Sequence, residues 1–107
     1  ASQINGCAFC IDMHFRDAKQ HGESDERLYL LNAWTEAGVY STRERAALQW
    51  TEALTRLAGG HVSDETFDAV RAQFSEEELV NLTLTIVAIN GWNRFSVGFK
   101  VPPRAQL

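Results

Sequence analysis

Ser2-Gln3-Ile4-Asn5-Gly6-Cys7-Ala8-Phe9-Cys10-Ile11-Asp12-Met13-His14 holds both cysteines of the chain and, four residues after the second, a histidine. Nothing in it alternates like a strand. Apolar residues recur instead at Ile4, Ala8, Ile11, Phe15 and Ala18, which on a helix group within about 80° and form a core-facing arc. The stretch therefore predicts a helix from about Ser2 to Gln20, stopped at His21-Gly22, where glycine accepts a left-handed C-cap. On that helix Cys7, Cys10 and His14 fall in one stripe about 60° wide beside the arc. The thiols are expected half-buried at the margin of the core.

Two thiols and an imidazole on one face, near a helix start, have a chemical use. Unpaired backbone N–H groups, the helix dipole and a nearby imidazolium all favour a thiolate. A second cysteine one turn away can attack an oxidised first one and close a disulfide, which an external dithiol reopens. Cys10 is read as the nucleophile because it stands i, i+4 to His14. Cys7 is then the resolving thiol and His14 the base. Two other readings compete. The cysteines could be inert core residues, or zinc ligands with His14, although His21 lies roughly 10 Å further along the helix, too far to complete a tetrahedron. A thioredoxin-like site would need a βαβ context, which these flanks lack.

Working outward, Ser24 is placed to cap a helix from about Asp25 to Glu36 carrying Leu28, Leu31 and Trp34. Ser41-Thr42-Arg43-Glu44 has the pattern of a capping box and opens a third helix through Leu57, with Ala47, Trp50, Leu54 and Leu57 on one face. Ser63 opens a fourth with Phe67, Val70 and Phe74. Ser75-Glu76-Glu77-Glu78 is a second capping box, and its helix is expected to reach about Lys100 before Val101-Pro102-Pro103 ends it. This last helix is apolar nearly all round and is expected to be the central, most buried one. It carries Asn90 and Asn93 into a buried surface, where amides require partners, most simply neighbouring helix ends. Trp34, Trp50 and Trp92 are expected in the core, and His21 and His61 are expected to be solvated. Phe9 and Met13 lie off the core arc as an i, i+4 pair beside the thiols, which suggests a subunit contact.

Five helices and no convincing strand predict one all-α domain over residues 1–107. The chain's 107 residues carry a formal charge of −4, and its ten basic residues include only two lysines, so there is no stripe for a phosphate backbone and no nucleic acid is expected. The apolar run from Leu79 to Ile89 is too short and too interrupted to cross a bilayer, so no membrane partner is expected. A reactive pair of cysteines suits a reducing cytoplasm.

Three blocks carry a resemblance: Ala1 to His14, with its Cys-x-x-Cys-x-x-x-His spacing; Arg43-Glu44-Arg45-Ala46-Ala47-Leu48; and Ile89-Asn90-Gly91-Trp92-Asn93-Arg94. Together they resemble the carboxymuconolactone decarboxylase-like superfamily, in particular its alkylhydroperoxidase AhpD-like branch. The first block is the specific one. The resemblance implies an all-helical subunit in a symmetric homo-oligomer, dimer, trimer or hexamer, with the cysteines near subunit contacts. It implies reduction of a peroxide substrate through a cysteine sulfenic acid and an intramolecular disulfide. No cofactor is bound, and regeneration falls to an external dithiol of the lipoyl type, on a lipoylated or other dithiol protein. Two features depart from the family pattern. The relay glutamate of the family stands about a dozen residues before the first cysteine, a position ahead of Ala1, so residues 1–107 are expected to lack an N-terminal segment of the family. A histidine is frequent just before the second cysteine, where this chain has Phe9.

The expectation is a thiol-dependent antioxidant enzyme reducing hydroperoxides or disulfides, with Cys10, Cys7 and His14 as its catalytic residues. The alternatives are a decarboxylase of the carboxymuconolactone type, which has no need of paired thiols, and a non-catalytic redox-sensing helical oligomer.

Overall fold

Serine side chains start most of the helices in the computed structural model, which describes residues 1–106. The helices are α1 (Ser2–Asn5), α2 (Ala8–Gln20), α3 (Asp25–Tyr29), α4 (Thr42–Thr55), α5 (Asp64–Gln73) and α6 (Glu76–Gly98). Single 3₁₀ turns occupy Leu31–Ala33, Leu57–Gly59 and Arg104–Gln106. There is no strand among the described residues, and the fold is all-α. Both expected capping boxes form: Ser41 Oγ accepts from Glu44 N–H at 3.1 Å while the Glu44 carboxylate accepts from Ser41 N–H at 2.8 Å, and Ser75 and Glu78 repeat the exchange at 3.2 and 2.9 Å. Ser24 and Ser63 cap α3 and α5 through the N–H groups of Arg27 and Thr66. Each such cap is worth about 0.5–2 kcal/mol.

The core lies where α4, α5 and α6 meet. Trp50, Val70 and Ile86 are buried there, with Leu54, Val62, Phe74, Leu79 and Leu82 packed around them. The Trp50 indole N–H is taken into this apolar setting because it donates to Thr83 Oγ1 at 3.0 Å.

Four expectations need correction. The first helix is not continuous, because Gly6 sits at φ 66°, ψ 37° in the left-handed region and ends α1. Gly6 N–H then bonds Gln3 O at 3.4 Å and Cys7 N–H bonds Ser2 O at 3.1 Å. Only a residue without Cβ enters that conformation cheaply. The break leaves Cys7 extended, outside the helix, and takes Ile4 and Ala8 out of phase. Ile11 and Ala18 are half-buried, but Ala8 and Phe15 are exposed, and the buried side of α2 is Cys10.

Second, the helix after Ser24 stops at Tyr29 instead of Glu36. A 3₁₀ turn follows at Leu31–Ala33, and beyond it the Arg45 guanidinium donates to the carbonyls of Trp34 (3.0 Å), Thr35 (3.0 Å) and Ala37 (3.1 Å). A side chain thus satisfies three backbone carbonyls of the irregular segment, so that segment needs no helix to pair them. Third, α4 ends at Thr55, and Leu57, in the 3₁₀ turn beyond, is exposed instead of lining the core face.

The fourth correction concerns α6, which has its expected start and ends at Gly98, two residues short of Lys100. It is not the most buried helix. One side carries Ile86 and Asn93 inward; on the other Val80, Leu84, Val87, Trp92 and Phe95 are each at least 60% exposed. Trp92 therefore lies outside the core. An all-round apolar helix can be covered only by neighbours on every side, and here α2, α4 and α5 cover one side.

Arg27 ties α3 to the start of α4. It pairs with Glu44 and with Glu23, and its guanidinium lies over the Tyr40 ring. The Arg27 side chain, then the Ser41 N–H, hold the Glu44 carboxyl down at about 2 from an ordinary 4.5. A carboxyl whose value is lowered by folding stabilises the fold above its unfolded value and loses that contribution as pH falls towards its folded one. Glu44→Gln should be less stable than the parent near about pH 6 in urea unfolding, with the difference shrinking below about pH 4.5 and closing near pH 2.

Candidate active site

The site begins at two amides on α6. Asn93, 1% exposed, donates through Nδ2 to Ser2 Oγ at 2.9 Å and accepts at Oδ1 from Asn5 Nδ2 at 2.9 Å. Asn5 Nδ2 also donates to Asn90 Oδ1 at 2.9 Å, and Asn90 Nδ2 reaches Thr55 Oγ1, at the end of α4, at 3.1 Å. The expectation that these amides bond neighbouring helix ends is met. Its partners Ser2, Asn5 and Thr55 were not foreseen. The available signal was the Asn5-Gly6 dipeptide, a turn signature inside a helical pattern.

This clasp fixes α1 on α6, and the left-handed Gly6 delivers Cys7 to the N-cap of α2. Cys7 is extended at φ −86°, ψ 99°, and its Sγ accepts the Cys10 backbone N–H at 3.2 Å. A thiolate at this position receives a hydrogen bond from one of the unpaired donors of the helix start, which favours its charged form. Cys7 and Cys10 are joined by a disulfide with Cα atoms 5.3 Å apart. The two are 1% and 2% exposed, fully buried and not half-buried as expected, because the left-handed turn takes Cys7 off the helical stripe on which it was expected.

His14 stands one turn after Cys10 on the exposed part of α2. It lines a hollow of about 340 Å³ together with Cys10, Phe9, Met13, Ile89 and Trp92, and it also borders a second hollow of about 530 Å³ beside Ile11, Phe15 and Leu28. Of the two sulfurs, Cys10 is the one that borders the smaller hollow. The structure thus brings Cys7 against Cys10 and puts His14 at the mouth of the pocket that reaches Cys10. Among the described residues the His14 side chain has no hydrogen bond or ion pair. His21 caps α2, its Nδ1 2.8 Å from Asp17 O, away from the thiols, and His61 is solvent-exposed. No group of three or more His, Cys, Asp or Glu side chains among the described residues is placed to hold a metal ion. No helix among them is long and apolar enough to cross a membrane.

Residues 1–53 match the Carboxymuconolactone decarboxylase family. The chain is 49% identical over 96 residues to the uncharacterized protein YdfG of Bacillus subtilis, covering 90% of this chain and 65% of that protein. It is 27% identical over 101 residues to the uncharacterized protein YnjA of Escherichia coli, covering 94% of this chain and 55% of that one. The chain therefore spans less than two thirds of either relative's length. A crystal structure from Agrobacterium tumefaciens, of a protein of unknown function described there as a candidate antioxidant defence protein AhpD, superposes with a TM-score of 0.93 at 45% identity, over 95% of this chain and 70% of that one.

The geometry predicts how the pair oxidises. Since the disulfide spans one turn with Cα atoms 5.3 Å apart, inside the range a disulfide accepts, closing it is expected to need no helix to move. Mild oxidation of the reduced chain should remove two hydrogens per chain by mass spectrometry and leave the far-UV circular dichroism unchanged. Two alkylatable thiols surviving peroxide treatment would contradict this.

Proposed function

This chain belongs to the carboxymuconolactone decarboxylase-like superfamily, in its AhpD-like branch, and from that premise we propose that it is a thiol-dependent peroxidase. The observation that carries the reading is the buried Cys7–Cys10 disulfide at the start of α2, with Cys10 lining a pocket whose mouth holds His14. The Cys10 thiolate attacks the outer oxygen of a hydroperoxide. The O–O bond breaks, Cys10 becomes a sulfenic acid, and the leaving alkoxide takes a proton from His14, which had accepted it from the Cys10 thiol. The Cys7 thiolate then attacks the Cys10 sulfur, hydroxide leaves as water after protonation, and the disulfide closes.

An external dithiol restores the pair. Its thiolate attacks Cys10 from the pocket, and Cys7 departs as the thiolate favoured by the Cys10 N–H. The second thiol of the reductant then releases Cys10, leaving two protein thiols and one oxidised dithiol. A lipoylated or other dithiol protein of a reducing cytoplasm is the class of partner that this step requires.

The order of attack is decided by access: Cys10 lines the pocket and Cys7 does not. The protein should consume a hydroperoxide with dihydrolipoamide as reductant, and Cys10→Ser should abolish turnover. Cys7→Ser should leave a sulfenic acid trappable on Cys10. His14→Ala should slow turnover by about 10²-fold or more. Sulfenic acid trapped only on Cys7, in the Cys10→Ser protein, would exchange the two roles. Turnover of a carboxylated lactone that survives thiol alkylation would replace the peroxidase reading with decarboxylation.

The working form is proposed to be a homo-oligomer. Met13 is 42% exposed and Trp92 65%, and with half-buried Phe9 they ring the Cys10 pocket. An apolar rim of this kind is the sort of surface that a second copy covers. Met13→Glu should shift the native particle to smaller size on gel filtration. A parent that is monomeric at all concentrations would end this part of the proposal.

A further inference from the structure

The Asn93 clasp reaches the thiols through a short path of covalent and hydrogen bonds. Asn93 Nδ2 holds Ser2 Oγ, and Ser2 O accepts the Cys7 N–H at 3.1 Å. Asn93 Oδ1 holds Asn5, which directly precedes the left-handed Gly6 that turns the chain into Cys7. Both ends of the turn are therefore tied to α6. Cys10 reaches the same helix by another route, since α2 packs on α6. Helix α6 is thus the common reference for both sulfurs, with Cys10 positioned by packing and Cys7 through the two hydrogen bonds of Asn93, one buried and one part-buried.

We propose that Asn93 is a positioning residue that sets the thiol–disulfide equilibrium of Cys7 and Cys10, acting through Ser2 and Asn5. The stability of an intramolecular disulfide depends on the effective concentration of one thiol at the other, and this falls when one of them is free to move. With the clasp intact, Cys7 is held at the α2 N-cap whether the pair is oxidised or reduced. With it cut, the four-residue α1 keeps only the Asn5–Asn90 bond to α6, and the reduced Cys7 samples positions from which it does not reach Cys10. Among the described residues Asn93 makes no hydrogen bond to either sulfur. The inference rests on the redox reading of the pair and is independent of which oxidant the pair meets.

Its test is equilibration of the full chain with glutathione buffers. Two glutathiones reduce the Cys7–Cys10 bond, giving two protein thiols and one glutathione disulfide, and alkylation followed by mass spectrometry counts each form. Asn93→Ala and Ser2→Ala should each shift this equilibrium towards the dithiol by about tenfold or more, which is about 30 mV for a two-electron couple. Thr55→Val cuts the arm to α4 through Asn90 and spares the path to Cys7; it should lower the melting temperature and leave the equilibrium within about twofold of the parent. If Asn93→Ala does not fold, Ser2→Ala decides alone. An unchanged equilibrium in Ser2→Ala, or in both variants, would overturn the proposal and leave Asn93 a structural amide. Peroxide consumption by the parent is read separately. A parent that equilibrates with glutathione but consumes no peroxide would sink the peroxidase and leave the comparison of variants intact.

Discussion

Burying the side chain of Asn93 is tolerable only because both ends of its amide are taken, the nitrogen by Ser2 and the oxygen by Asn5. A buried amide left without partners costs about 1–3 kcal/mol per orphaned group, so the clasp is a condition of α6 facing inward at this point. The same bonds dictate where the N-terminal segment lies. A four-residue helix has no stability of its own, and α1 exists because α6 holds it. From that anchorage follow the left-handed Gly6, the extended Cys7, the free start of α2 and the closure of the thiol pair. The apolar core of Trp50, Val70 and Ile86 stabilises the bundle, and the polar clasp fixes the turn that leads into Cys7.

Elsewhere, too, side chains do work that backbone pairing does in longer helices. Arg45 collects three carbonyls between α3 and α4, and Arg43 takes Gln73 O at the end of α5 while pairing with Glu78 at the start of α6. Arg27 joins Glu44 and Glu23 across the α3–α4 corner. These three guanidiniums also lie over aromatic rings, those of Trp34, Phe74 and Tyr40. A planar cation with five donors can satisfy several helix ends at once and stack its face while doing so. Tight corners between short helices are held this way without long loops.

The outward side of α6 is the counterpart of this economy. A chain of 107 residues encloses one small core, and once α2, α4 and α5 occupy one side of α6 nothing among the described residues covers the other. Trp92, Phe95 and Phe99 form a ladder there, with ring centroids 6.0 and 6.1 Å apart. Trp92 also borders the Cys10 pocket, so the apolar outer surface adjoins the site.

What the sequence by itself determined is the class of fold and the chemical inventory of the site. Serines at Ser24, Ser41, Ser63 and Ser75 announce four helix starts because capping is a local contact over three residues, and local contacts are legible in one dimension. The Cys-x-x-Cys spacing announces a closable pair for the same reason. Tertiary structure alone decided the break at Gly6, the 3₁₀ turn after Tyr29, the outward side of α6 and the full burial of both cysteines. Each depends on a partner distant in sequence: Asn93 lies 88 residues from Asn5, and Arg45 10 residues from Thr35. Helical periodicity cannot separate a glycine inside a helix from one that ends it, because the choice rests on whether a buried amide waits to receive the chain that precedes it.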